Sequence, residues 1–389
     1  MGVDYRENQA GNGELVAVAM SGGVDSSVAA CLLKEQGFRV IGLTMRLFCY
    51  ALENPEDRSC CNLKAVADAR SVCESLEVPH YLIDCEEIFR KEVIDRFVAS
   101  YLTGRTPNPC VDCNSYLKFS FLLKKARALG AAYLATGHYA RLVQEDRSPS
   151  LYPRLARALD KDKDQSYFLW AIPRENLTHL VFPLGRLRKK EVWLLAGKFS
   201  LRVADKKESQ EVCFVDSRGL DDFIKSYLEK VGADESSHPT AKPGPLVDRE
   251  GRKIGVHRGC AFYTIGQRRG LGVALGYPAY VTLLDPLTNT VVVGSNEDLL
   301  ADRFRAAEVN YLVDPPRGPF RAEVKVRYKS KPVYAGIFPM DGQKVMVEMD
   351  EPQRAVTPGQ SAVFYDGDIL LGGGVIEGGA LSPGIKQVE

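Results

Sequence analysis

Three stretches of this 389-residue sequence gather side chains that do chemistry. The first is Ser21-Gly-Gly-Val-Asp-Ser-Ser27, with two glycines, an acid and three hydroxyls in close succession. The second is Thr106-Pro-Asn-Pro-Cys-Val-Asp-Cys-Asn114, which sets Cys110 and Cys113 in a loop stiffened by two prolines. The third is Glu208-Ser-Gln-Glu-Val-Cys-Phe-Val215, which carries Cys213. Glycines without a Cβ let backbone N–H groups close on phosphate oxygens, and serines add donors. A helix starting at such a loop aims its free N–H groups at the anion. The candidate phosphate-binding set is therefore Ala19, Met20, Ser21, Gly22, Gly23, Val24, Asp25, Ser26 and Ser27, with Asp25 a candidate magnesium ligand. There is no lysine before a Ser/Thr as in a Walker loop, and no G-x-G-x-x-G dinucleotide pattern.

The thiols allow two chemistries, and the residues leave both open. A thiol at a helix N-terminus is acidified, which favours thiolate at Cys110 and Cys113, and these two with Cys213, on a short strand-like run, suit persulfide and disulfide exchange. A Cys-x-x-Cys with a distant third cysteine also suits three irons of a [4Fe–4S] cluster, with Cys110, Cys113 and Cys213 as ligands. Cys31, Cys73 and Cys260 sit among apolar or small neighbours and read as inert buried thiols. Cys60, Cys61 and Cys85 fit either role.

The elements that must position these groups change character along the chain. From Leu15 to Thr136 short apolar runs alternate with helical periodicity: strands near 15–20, 38–45, 80–84 and 133–136, helices near 25–36, 63–76, 88–102 and 115–129. That alternation predicts a doubly wound α/β parallel sheet with its ligand at the carboxyl ends of the strands. Thr44-Met45 and Thr136-Gly137-His138 fall at such ends. Met45 and Gly137 are candidate adenine and ribose contacts, and His138 lies beside the expected reaction centre. Helices are read at 189–198 and 220–230, and the basic Arg186-Leu-Arg-Lys-Lys190 reads as a helix entrance. Beyond His238 short alternating runs between Gly and Pro predict a small module and then a β-barrel. The expected division is a disordered lead 1–13, a catalytic domain 14–218, a central domain 219–288 and a barrel 289–389.

Lys+Arg number 51 against Asp+Glu 50, so a nucleic-acid partner must be sought in local patches. Arg321, Lys325, Arg327, Tyr328, Lys329 and Lys331 form one, and Arg268-Arg269 another. No apolar run reaches the roughly 18 residues of a membrane span, and 1–13 lacks the apolar core of an export signal. A cytoplasmic protein without membrane association is expected.

The first loop resembles that of the ATP-pyrophosphatase (PP-loop) superfamily. Further elements sharpen the likeness: Gly104-Arg-Thr-Pro-Asn-Pro109, Cys113-Asn114, Ala135-Thr-Gly-His-Tyr139, Lys163-Asp-Gln-Ser-Tyr-Phe-Leu169, Phe182-Pro-Leu-Gly185, Cys213-Phe214 and Tyr263-Thr-Ile-Gly-Gln-Arg-Arg-Gly-Leu-Gly272. In this order, across most of the chain, they resemble the bacterial tRNA-specific 2-thiouridylases (MnmA type). The resemblance implies three domains, use of ATP with Mg2+, and modification of the wobble uridine of tRNAs for Lys, Glu and Gln. It implies a persulfide on Cys213, with sulfur drawn from a desulfurase, a relay protein or sulfide. Cys113 would be the nucleophile that releases sulfur, closing a Cys113–Cys213 disulfide at each turnover. Asn108, Pro109 and Cys110 would line the target base. His138, Lys163, Asp164, Gln165, Arg327, Tyr328 and Gln360 would contact base or tRNA. Many family members carry Asp where this chain has Cys110, which is what admits the cluster reading. The competing expectations are a PP-loop synthetase or ligase with another acceptor, and an RNA-binding relative without catalysis.

Overall fold

The computed structural model describes residues 3–4, 13–47, 63–144, 151–201, 212–215, 217–232, 238–273 and 276–379. Cys60, Cys61 and the 208–211 part of the third stretch lie outside the described residues.

Leu15-Val-Ala-Val-Ala19 forms β2, the middle of a five-stranded parallel sheet. The other strands are β3 (Arg39–Arg46), β4 (His80–Asp84), β5 (Tyr133–Ala135) and β8 (Leu180–Val181), in the order β4-β3-β2-β5-β8. The run is apolar throughout because both faces are covered. Val16 and Val18 pack toward the helices Val24–Glu35, Leu63–Ser75 and Lys189–Lys198, while Ala17 packs toward Phe119, Leu122 and Leu123. Succession along the sheet reverses at β2, between β3 and β5, so a crevice opens at Ala19-Met20 and Thr136-Gly137. The expected doubly wound sheet is thus present.

The helix expected from Ser115 instead begins at Pro109 and runs through 128, with its middle, Cys113–Leu122, wound as a π-helix. Proline suits a first helical position because its missing N–H would have no partner there. Cys110 and Cys113 consequently occupy the first turns of a helix, where the sequence reading had placed them in a preceding loop. The segment 86–102 is likewise one helix with a π-wound centre at Arg90–Asp95.

The central sheet has the order β10-β9-β12-β11: β9 Gly244–Val247, β10 Lys253–His257, β11 Tyr280–Asp285 and β12 Thr290–Gly294. The boundary expected between 288 and 289 falls inside the β11–β12 hairpin; this sheet extends to Gly294 because β12 pairs with both β11 and β9.

The last module is a closed six-stranded barrel of β13 (Leu300–Tyr311), β14 (Phe320–Lys325), β15 (Val333–Met340), β16 (Lys344–Arg354), β17 (Ser361–Asp366) and β18 (Ile369–Gly379). All neighbours are antiparallel, and β17 pairs with both β14 and β18, so no strand edge is left open around the ring. Val324, Ile337, Val347, Phe364 and Ile376 fill it.

One connection crosses the expected divisions. The hairpin β6 (Ala140–Gln144) and β7 (Arg154–Arg157) leaves the first domain and joins the barrel, Ala156 pairing with Ile369. Arg157 secures it, donating to Gly367 O at 2.9 Å and to Glu323 at 2.8 Å with its guanidinium over the Tyr365 ring. Val3–Asp4 form β1 and pair with Gln144 and Val143, so this part of the lead, expected to be disordered, caps the hairpin's free edge. Among the described residues no helix is long and apolar enough to cross a membrane.

Candidate active site

The phosphate loop joins β2 to the helix Val24–Glu35. Gly22 has φ +70°, and a Cβ on it would lie 2.2 Å from Ala65 O in the helix Leu63–Ser75. Gly137 comes as close from the other side, where a Cβ would lie 2.7 Å from Ser26 N. Both glycines are thus required by close backbone approach. The helix start has no side-chain cap, which leaves its first N–H groups for an anion. Of the three hydroxyls only Ser21 is exposed. Ser26 and Ser27 are buried and donate to Gly23 O at 3.1 and 2.9 Å, and Ser26 Oγ accepts from Ser21 N at 3.2 Å. Those two serines shape the turn; as hydroxyl donors to phosphate, the role expected for all three, they are spent. Gly22→Ala is expected to reduce ATP-analogue binding at least about tenfold with the circular dichroism unchanged, measured by fluorescence titration.

Asp25 is differently placed from a metal ligand. Lys189 Nζ lies 2.8 Å from both its carboxylate oxygens, and Tyr139 OH donates to Oδ1 at 2.8 Å. The Lys189 side chain is 10% exposed and its ammonium rides over the rings of Tyr139 and Trp193. This ion pair occupies the carboxylate, so Asp25 does not fit the magnesium role. The sequence showed only that 186–190 is basic and enters a helix, which it does; nothing local linked Lys189 to an acid 164 positions earlier.

At the end of β3, the Thr44 hydroxyl donates to Met20 O at 3.0 Å and lies 2.8 Å from His80 Nε2. A hydroxyl has one proton and a carbonyl only accepts, so His80 Nε2 carries the hydrogen toward Thr44. Met45 beside it is half-buried and packs against two apolar clusters, one under the sheet and one that holds the thiols.

Cys113 and Cys213 are both half-buried against that second cluster, which contains Phe89, Phe97, Phe214 and Phe223. Phe214, next to Cys213, sets its ring edge against Phe97 at 5.0 Å and Phe89 at 5.8 Å. The two sulfur-bearing segments thus pack against one apolar cluster, which Met45 at the end of β3 also touches. Cys110 is exposed. Between the thiols, burial pushes the Asp112 carboxyl up to about 6, against the pull of Arg96, whose guanidinium also reaches Glu308 of the barrel.

Cys85 is buried, and burial, with help from Asp84 and Cys113, pushes its thiol up to about 12. It is a packing thiol. Cys31, Cys73 and Cys260 are pushed up to about 11 by burial, as their neighbours in the sequence suggest. Among the described residues no three His, Cys, Asp or Glu side chains form a set able to hold a metal. Cys110, Cys113 and Cys213 form no such set, Cys110 being exposed and the other two half-buried.

His138 follows β5, its Nδ1 2.8 Å from Thr136 Oγ1 and its ring against Phe119 and Phe182. Burial holds its pKa well below the ordinary 6.5, and Lys118 pushes the same way. The unfolded chain takes up this proton near pH 6.5 and the folded chain does not, so stability is lost as pH falls below that value. His138→Gln should remove part of this loss. Between pH 7.5 and 5.5 the parent's Tm is expected to fall about 2–4 °C further than the variant's, read by calorimetry.

The residues expected at RNA divide. Asp164 is buried and accepts from Ala158 N, Ser166 N and Ser166 Oγ at 3.0, 3.2 and 2.9 Å, so it braces a turn. Gln165 Oε1 accepts from Tyr139 N at 3.0 Å, steadying the tyrosine on Asp25. Arg327 Nη2 donates to Ala355 O at 2.6 Å and Thr357 Oγ1 at 2.8 Å within the barrel. Gln360 donates to Thr106 O and Pro107 O. Lys163 and Tyr328 are half-buried, with Tyr328 against Phe168 at 4.6 Å and Lys325 above its ring. Asn108 precedes the thiol helix and hydrogen-bonds Tyr167, whose hydroxyl donates to Ser361 O at 3.0 Å. Pro109 is buried as the first residue of that helix.

Three family models match in succession: a tRNA methyl transferase HUP domain over 14–217, a tRNA methyl transferase PRC-barrel domain over 236–295 and an aminomethyltransferase beta-barrel domain over 301–376. Curated relatives match nearly end to end. A tRNA-specific 2-thiouridylase of Moorella thermoacetica is 49% identical, covering 92% of this chain and 98% of its own. Another, from Caldanaerobacter subterraneus subsp. tengcongensis, is 47% identical over 93% and 97%. A third, from Clostridium perfringens, is 44% identical over 93% and 98%. Matched nearly end to end by these relatives and over more than half its length by the HUP-domain model, this chain belongs to the family of tRNA-specific 2-thiouridylases.

Proposed function

We propose that the protein uses ATP to replace the C2 oxygen of a tRNA wobble uridine with sulfur, in tRNAs for Lys, Glu and Gln. One observation carries this reading: Met45, at the nucleotide end of the sheet, packs against the same cluster as Cys113 and Cys213. The methyl-transfer wording of the domain models finds no counterpart in these groups, which supply sulfur.

A uridine carbonyl is a poor electrophile because its oxygen is a poor leaving group. In the first step that oxygen attacks the α-phosphate of ATP, forming a C2–O–P bond and releasing pyrophosphate. Ser21, the N–H groups that follow Gly23 and the Lys189–Asp25 pair face the charge that gathers on the departing phosphates. Asp25, held by Lys189 and Tyr139, does not fit magnesium. In the second step the terminal sulfur of a Cys213 persulfide adds at C2 and expels AMP. The Cys113 thiolate then attacks the Cys213 sulfur, breaking its S–S bond to the base-bound sulfur. The products are 2-thiouridine and a Cys113–Cys213 disulfide, which a thiol reductant must reopen. A desulfurase or a relay protein would then transfer sulfane sulfur to the reduced Cys213; sulfide would serve only by attacking the Cys113–Cys213 disulfide in place of the reductant, giving the Cys213 persulfide and a free Cys113 thiol.

The base must leave the anticodon stack, at a cost of a few kcal/mol, offset by RNA contacts elsewhere. Lys163, Tyr328, Lys329 and Lys331 remain the candidates for these. The test is mass analysis of nucleosides from tRNA incubated with protein, ATP, Mg2+ and a persulfide donor. Product 2-thiouridine that requires both ATP and Cys213 supports the reading. Its absence, with pyrophosphate still released on another acceptor, would point to a PP-loop ligase.

A further inference from the structure

The loop 104–108, which feeds Asn108 and the thiol helix, is held from outside its own domain. Its proline and the one that follows it explain why. Pro107 in the loop and Pro109 at the helix start have no N–H, so the loop is short of donors to satisfy its own carbonyls. The barrel supplies them. Gln360 Nε2 donates to Thr106 O at 2.9 Å and to Pro107 O at 3.1 Å, and Pro358 O accepts from Thr106 N at 2.8 Å. Gly359 between them has φ +90°, and a Cβ there would lie 2.8 Å from Thr106 O and 2.9 Å from Thr106 N. The turn is itself pinned to β18, with Gly359 N donating to Ile376 O and Ile376 N to Gln360 O, both at 2.8 Å. The central domain adds a lighter hold, Thr106 Oγ1 donating to Thr264 Oγ1 at 3.2 Å.

We propose that Gln360 is a positioning residue for sulfur transfer: its amide spends both hydrogens holding the 106–107 carbonyls, so the barrel sets where Asn108, Cys110 and Cys113 stand. This rests on the thiouridylase reading and departs from the expectation that Gln360 contacts RNA. Docking of tRNA on the barrel would reach the thiols through this clamp, because the turn and the loop share backbone contacts with no room for a side chain at 359.

Two variants test it: Gln360→Ala, and Gln360→Glu, which keeps the size but removes both donors. Thiolation kcat is expected to fall about 10–100-fold in each, with tRNA Kd and KM for ATP within about twofold of the parent. A second readout needs no turnover. Carbamidomethylation of half-buried Cys113, followed by peptide mass, is expected to speed up about tenfold as the loop loosens, while exposed Cys110 keeps the parent's rate. A tenfold loss of tRNA affinity with kcat and alkylation unchanged would make Gln360 an RNA contact and overturn the proposal. So would parent-like alkylation of Cys113 in both variants. If the parent makes no thiouridine, the functional reading fails while the alkylation contrast still decides the clamp.

Discussion

In Cys213→Ala protein, thiolation is expected to fall at least about a thousandfold while tRNA-dependent release of pyrophosphate persists. The two halves of the reaction use different groups. On the proposed mechanism adenylation draws on the loop at the end of β2, and Cys213 is required only when sulfur must add. Cys113→Ser should differ in kind. Sulfur would still add at C2, but nothing would break the bond between the base-bound sulfur and Cys213. A protein–tRNA adduct should accumulate on a denaturing gel and disappear with dithiothreitol. Normal turnover in Cys113→Ser would contradict the roles assigned, as would loss of pyrophosphate release in Cys213→Ala.

The second large effect concerns Lys189. Lys189→Met is expected to slow pyrophosphate release by about 10²–10³-fold, a size typical for removing one preorganised electrostatic contact from a reacting centre. The buried ammonium spans both oxygens of Asp25, and without it the carboxylate would stand beside the phosphates with only Tyr139 and solvent to offset its charge. Repulsion of ATP is the first consequence, so KM for ATP should rise as well. Adding Asp25→Asn should recover part of the loss, since the unpaired charge goes with it. A double variant no better than Lys189→Met would show that the lysine acts on phosphate directly and independently of Asp25.

The contrast between Asp25 and the loop around it shows what the sequence could carry. Strand, Gly-Gly turn and helix are adjacent in the chain, so their types and order state the phosphate cradle before any fold is known. What Asp25 does depends on Lys189, brought to it by a later helix of the same domain, and an acid beside a phosphate loop otherwise reads as a metal ligand. The thiols behave alike. Their sequence contexts singled out all three, but only the fold shows Cys110 exposed and Cys113 and Cys213 half-buried against one apolar cluster. Alternation is broken inside β13, where the register shifts between Ala307 and Asn310 and Glu308 has φ +51°. The clamp on 106–107 was also illegible, because Gln360 meets that loop only when the barrel closes over it.

The central claim is that the uridine's own oxygen is the atom that attacks ATP. A tRNA anticodon stem-loop carrying 18O at C2 of the wobble uridine tests it in a single turnover, with the AMP product weighed by mass spectrometry. One 18O is expected in the phosphate of AMP for each 2-thiouridine formed. Unlabelled AMP, with the 18O found in water, would show that ATP is cleaved by another nucleophile and that the base is never adenylated.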